Sequence, residues 1–203
     1  MIRQPRRILL SSLVLLLGAC SILPKSDPLT VYQLPAAHEA TAPVFSGLSA
    51  RSLIVFTPYA SSFLDADRIT VIPSGNRLSV YEGSRWSDPA PVVFRSRLVQ
   101  DFRQATDLKA VGNERENLLA DYQLRGDLTA FQVEYRNGQP TAVISFDASL
   151  TEGQSGRVIA SRHFSVTEVV DGSQVPEVVQ AFGRASTRIN HDIIQWVYQV
   201  AGK

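Results

Sequence analysis

The chain has 203 residues, with 20 lysines and arginines against 19 aspartates and glutamates, three histidines, one cysteine and a formal charge of +1 at pH 7. A balance this close to neutrality offers no clustered basic face to neutralise phosphates, so a nucleic-acid partner is not expected. A lone thiol excludes an internal disulfide and a cysteine metal site, and the fold must stand on its apolar core.

The first segment carries Arg3, Arg6 and Arg7, then an uncharged stretch from Ile8 to Ala19 that ends in the small residues Gly18 and Ala19. A bilayer span takes ~20 apolar residues, so the stretch is too short to cross. Its charged, apolar, small-residue order is that of a secretory signal, and residues 1–19 are expected to be cleaved. Cleavage removes three arginines and no acid, leaving 184 residues of formal charge −2. Leu17, Gly18, Ala19 and Cys20 resemble a bacterial lipobox, which implies diacylglycerol and an N-acyl chain on Cys20 and no other cofactor. One acyl chain binds only marginally at ~0.8 kcal/mol per buried CH₂, whereas two or three hold a protein in place. An ordinary secreted protein with an incidental cysteine is the alternative. Ser21 is not the aspartate that resembles an inner-membrane retention signal, so the expected location is the periplasmic face of a Gram-negative outer membrane.

Residues 20–28 read as a short tether and 29–203 as one domain. Leu29–Pro35 is β-branched and aromatic and reads as a first strand; the following segment, with His38, reads as a loop. Ser52–Pro58 is a continuous apolar run, as in a buried central strand. Two strands flank Ser74-Gly75-Asn76 as a hairpin. Asp88, followed by Pro89 and Pro91, is expected to cap a helix whose face is Phe94, Leu98, Phe102 and Ala105. Leu108–Val111 reads as a short strand. Tyr122–Tyr135 and Thr141–Leu150 form a hairpin about Asn137-Gly138, with Ile144, Phe146, Ala148 and Leu150 on one side and Val143, Ser145, Asp147 and Ser149 on the other. Arg157–Val170 extends the meander. Ser173 is expected to cap a last helix running to about Val200, with Val178, Phe182, Ala185, Ile189, Ile193 and Trp196 as its apolar stripe.

Chemistry-bearing patterns are sparse. His38, His163 and His191 belong to no metal-ligand pair, and no metal site is expected. Gly153–Arg157 lacks the closing glycine of a nucleophile elbow and reads as a turn. No phosphate-binding glycine loop follows a strand. A catalytic role is not expected.

The order of the lipobox, "VYQLP", "DRITVIPSGNRLSVYEGSRWSDPAPVVFRSRLVQDF", "DYQLRGDLTAFQ", "AVISFDASLTEGQSGRVIASRHFSV" and "AFGRASTRINHDIIQWV" resembles the ABC-type transport auxiliary lipoprotein family, the PqiC-like accessories of MCE-protein lipid transport. The resemblance covers nearly the whole mature chain. It implies a non-catalytic subunit that serves an ABC permease and ATPase and an MCE-domain protein at the outer-membrane end. The fold it implies is a single-domain α/β sandwich like the TolB amino-terminal domain, a mixed or mainly antiparallel sheet packed by two main helices.

Tyr32, Leu34, Arg85 and Trp86 are the candidate partner-interface residues, since Trp and Arg are enriched at interfaces. Trp86 has a second reading as the lid of the core under the first helix. Arg68 is expected to pair with Asp65 or Asp67. The last helix is expected to lie on its own sheet rather than bind a partner helix or lipid tail. A homo-oligomeric ring around a lipid conduit suits the implied role. The rival function is a carrier that holds an acyl chain in a pocket of ~300 Å³ or more between sheet and helices.

Overall fold

A computed structural model describes residues 28–36, 45–116 and 118–202. The expected signal, the lipobox Leu17–Cys20, tether residues 20–27 and His38 lie outside the described residues. The elements in chain order are β1 (Thr30–Tyr32), β2 (Ser52–Val55), β3 (Arg68–Ile72), β4 (Ser79–Trp86), α1 (Ala90–Ala105), β5 (Ala110–Asn113), β6 (Tyr122–Arg136), β7 (Gln139–Glu152), β8 (Val158–Val169) and α2 (Val175–Ala201). All eight strands share one mixed sheet, and both helices pack against it and against each other. This is the α/β sandwich expected from the sequence.

The organising unit is the β6–β7 hairpin. Asn137 and Gly138 both take positive φ, 52° and 79°, the turn whose twist matches the flanking strands. On β7, Ala142, Ile144, Phe146, Ala148 and Leu150 are buried toward the helices, whereas Asp147 is exposed on the opposite face. β8 pairs antiparallel along β7 and completes the meander.

The other edge of β6 is divided between two strands. Leu53 and Val55 lie parallel opposite Tyr122 and Leu124, and Thr70 and Ile72 lie parallel opposite Gln132 and Glu134. Between them the amides of Phe56 and Tyr59 donate to the carbonyls of Leu124 and Gly126. β5 then borders β2, while β4 borders β3 and β1 borders β4 at the edge. A bulge between Leu128 and Ala130 separates the two halves of β6. Bulges increase local twist, which suits a strand that serves two branches. Just before it, Gly126 at φ 155° passes so close to β7 that a Cβ would stand 2.0 Å from the Asp147 carbonyl.

The helices cover one face. Phe94, Leu98, Phe102 and Ala105 of α1 are buried, as are Val178, Phe182, Ala185, Ile189, Ile193 and Trp196 of α2. Both apolar stripes lie where the 3.6-residue period puts them. The caps differ from expectation. α1 starts from Pro89 and α2 from Gln174, neither with a side-chain cap bond, so Asp88 and Ser173 do not cap. The first amide of α1 is satisfied instead by the Ala66 carbonyl at 3.0 Å. Among the described residues no helix is long and apolar enough to cross a membrane.

Trp86 is 0 % exposed. Its ring meets Phe182 edge-on at 5.4 Å and Phe131 at 5.7 Å, and those two stack at 4.7 Å. The indole therefore belongs to the core and is no surface anchor, a correction to its place among the interface candidates. Nor does Asp67 pair with Arg68; its partner is Arg85 at 3.3 Å.

Candidate functional site

The sequence candidates converge on the edge where the chain enters the sheet. β1 is the edge strand, with Val31 opposite Arg85 and Tyr32 opposite Trp86. The Ser87 amide donates to the Tyr32 carbonyl at 2.8 Å. Tyr32 and Leu34 are half-buried against the core, while the Arg85 side chain stays 44 % exposed beside Asp67. Tyr32, Arg85 and Trp86 are thus brought together in one strand pair, with Leu34 two residues further on, and the Arg85 guanidinium is partly exposed beside Asp67.

A cluster that sequence reasoning missed fixes this segment. Arg97 on α1 is buried, and its guanidinium donates to Asp101 at 2.8 and 3.0 Å, to Thr187 Oγ1 on α2 at 2.9 Å and to the Pro35 carbonyl. Asn190 Nδ2 completes the shell by donating to Asp101 at 2.7 Å. Pro35 lies against Gly183 of α2, where a Cβ would stand 3.2 Å from the proline ring. A buried charge is tolerable only when it is paired and its hydrogen-bonding positions are filled. Here they are filled partly by the backbone of the N-terminal segment. The sequence does hold a signal, Arg97 and Asp101 at i, i+4, but that spacing ordinarily marks an exposed pair.

The sheet face away from the helices is polar. Asp127, Asp147 and His163 lie in one row across β6, β7 and β8. His163 Nδ1 lies 2.6 Å from Asp147 Oδ1. The neighbouring hydroxyls pair with each other, Ser145 with Ser165 at 2.7 Å and Ser161 with Ser149 at 3.3 Å. The row borders a shallow groove of about 410 Å³. A serine nucleophile is activated by an adjacent base; here the imidazole pairs with Asp147 and these serines pair with one another. Among the described residues no group of three histidine, cysteine or acidic side chains is placed to hold a metal.

The end of the sheet where β6 begins and β7 stops carries a larger groove of about 790 Å³, bordered by Arg51, Asp121, Gln123 and Glu152. The Ser52 hydroxyl, at 2.8 Å, is the main cause that holds the Asp121 carboxyl below its ordinary range; the Ser52 amide and Arg51 add to it. Arg157 and Ser155 likewise hold Glu152 low. Leu119 beside them is 99 % exposed. The groove thus carries two carboxylates held in their ionised form, each beside an arginine.

Residues 32–194 match the family of ABC-type transport auxiliary lipoprotein components. The chain is 27 % identical to the crystal structure of protein XCC0632 from Xanthomonas campestris, with a TM-score of 0.74 over 85 % of this chain and 96 % of that one. A second crystal structure, of an uncharacterized protein, shares the fold at 19 % identity and a TM-score of 0.66, covering 84 % of this chain and 99 % of that one. An uncharacterized protein of Bradyrhizobium diazoefficiens is 29 % identical over 154 residues, 76 % of this chain. The match spans 41 % of that relative's length.

Proposed function

From the premise that the chain belongs to the ABC-type transport auxiliary lipoprotein family, we propose that it is a non-catalytic adaptor anchored through Cys20 to the periplasmic face of the outer membrane, where it docks an MCE-domain protein served by an ABC permease and ATPase. The family assigns an auxiliary role in ABC-type transport. The observation that carries the finer reading is the fixation of the N-terminal segment: β1 is built into the sheet, and Pro35 is held between Arg97 and Gly183. An anchor at Cys20 then positions the entire domain, as an adaptor requires. The space between sheet and helices is filled by Trp86, Phe131, Phe182 and their neighbours, which favours an adaptor over an acyl-chain carrier.

The test is to recover the native lipoprotein from detergent-solubilised envelopes and identify what accompanies it. Recovery of an MCE-domain protein together with its permease supports the proposal; reproducible absence of both overturns it. Mass spectrometry of the mature amino terminus tests the anchor directly, and a free Cys20 sulfur or a retained leader removes it. The mass of the same detergent-solubilised particle distinguishes a ring of copies from a monomer.

A further inference from the structure

The direction in which the chain enters the sheet defines which end of the domain a lipid anchor would draw to the membrane. β1 runs parallel to β4, from Thr30 opposite Ser84 to Tyr32 opposite Trp86. β4 itself begins at Ser79, directly after the Ser74-Gly75-Asn76 turn. The chain ahead of Thr30 therefore arrives from the side of that turn. Through β3 the same side is the end of β6, because Val71 lies opposite both Ser79 and Val133. The β3–β4 turn, the β6–β7 turn and the start of α2 thus share one end of the molecule, and the β7–β8 turn lies at the other.

That first end exposes apolar side chains beside charged ones, Glu134 and Asp171 among them. Leu78, Tyr135 and Val169 expose 47 %, 40 % and 46 % of their surfaces there. Arg77 adjoins Leu78 in sequence, and Arg136, next to Tyr135, pairs with Glu134 at 3.0 Å. Tyr81 sits beside Tyr135; burial, and then that neighbour, push its phenol up to about 12, so it stays neutral. Tyrosines flanked by aliphatic and basic side chains suit the boundary between headgroups and acyl chains. The opposite end also exposes Leu119 and Val158, but the groove beside Leu119 carries the carboxylates of Asp121 and Glu152, both held ionised. Each is paired with an arginine, Asp121 with Arg51 at 3.2 Å and Glu152 with Arg157 at 3.0 Å, so that face presents a rim of ion pairs.

Length decides the matter independently. From Cys20 to Pro28 a fully extended chain reaches about 28 Å. From the level of Gln132, close to where the chain enters, β6 runs four residues to Arg136 and ten to Tyr122, about 13 Å and about 33 Å at strand rise. The tether spans the first distance with slack and falls short of the second.

We infer that the end bearing the β3–β4 and β6–β7 turns rests against the lipid surface, with Leu78, Tyr135 and Val169 at the headgroup boundary and the Asp121–Glu152 groove facing away from the bilayer. The inference rests on the lipidated Cys20 proposed above. The experiment uses the full lipidated protein in phosphatidylethanolamine–phosphatidylglycerol vesicles, labelled with an environment-sensitive fluorophore through Asn76→Cys in one preparation and Ser155→Cys in another. A spin-labelled lipid should quench the label at 76 several-fold more than the label at 155. Equal quenching, or stronger quenching at 155, overturns the inference while leaving the anchor intact. Protection of the label at 76 from a water-soluble quencher without lipid quenching means that another protein covers this end, and also overturns it. Flotation of the wild type and its Cys20→Ser variant with the same vesicles reads the anchor separately: if the wild type fails to float, the anchor is wrong and the inference falls with it.

Discussion

Pro35 packs on the one position of α2 where the helix has no side chain, 3.2 Å from the point at which a Gly183 Cβ would stand. The contact couples the last helix to the segment that leads back toward Cys20. Alanine at 183 would gain ~1 kcal/mol of helix propensity, yet its methyl needs the proline to yield. Gly183→Val requires far more movement and should cost about 1–3 kcal/mol through overpacking. The signature beyond stability is local. The Ser87 amide, which donates to the Tyr32 carbonyl, should exchange faster with solvent deuterium, whereas the amides of β7 should be slowed or hastened only as global stability dictates.

Arg97 offers a sharper test of the same mooring. Truncation by Arg97→Ala leaves Asp101 without its cation, with only the Asn190 amide to donate to it, at a site where its side chain is 15 % exposed, and loss of one partner of a buried pair costs about 3–5 kcal/mol. Replacing Arg97 and Asp101 together by leucine should cost less than Arg97→Ala alone, since no uncompensated charge remains. Urea unfolding of the three proteins checks the order, and a double replacement that is the worst of the set contradicts it.

Arg85 and Trp86 are neighbours in sequence with opposite fates. Trp86→Ala should destabilise by about 3–5 kcal/mol, as large aromatic truncations in a core do. Arg85→Ala, which removes an exposed ion pair, should change stability by no more than ~1 kcal/mol. Thermal unfolding of both variants separates a core residue from a surface one.

The Asp121 carboxyl carries a pH dependence. Its folded pKa lies below the ordinary value, mainly because of the Ser52 hydroxyl. A depressed carboxylate contributes stability that is complete above the unfolded pKa of ~3.9 and disappears as pH falls through the folded value. Ser52→Ala should raise the Asp121 pKa and make the acid limb of the stability profile shallower. Carbon-13 titration of the side-chain carboxyl reads the shift directly, and an unchanged midpoint would exclude the hydroxyl as its cause.

Local patterns in the sequence anticipate local structure well. Asn137-Gly138 announces its hairpin because two consecutive positive φ values demand such residues, and the stripes Phe94–Ala105 and Val178–Trp196 announce their buried faces through period alone. The apolar run at Ser52 does not reveal which strand it joins, because a strand buried on both faces carries no alternation to fix its partner. The caps at Asp88 and Ser173 fail for a related reason: Pro91 and Pro176 already remove an amide from each first turn, so a side-chain acceptor is less needed. At the candidate site, Tyr32 is legible as a strand residue turned toward the core, whereas Arg85, which reads as part of a loop, lies at the end of β4. The Arg97 cluster is not legible, since its meaning comes from a carbonyl 62 residues away.

The divided edge of β6 also sets an order of assembly. Ser52 and Asp121 meet across 69 residues of chain, and parallel pairings at such separation form slowly because loop closure precedes any gain. The β3–β4 hairpin and its neighbour β1 can pair within residues 30–86, whereas β2 joins β6 only once residues beyond 121 are made. A chain emerging amino-terminus first can therefore close the β1–β4–β3 branch early, and the sheet becomes continuous only when β6 arrives to join that branch to β2.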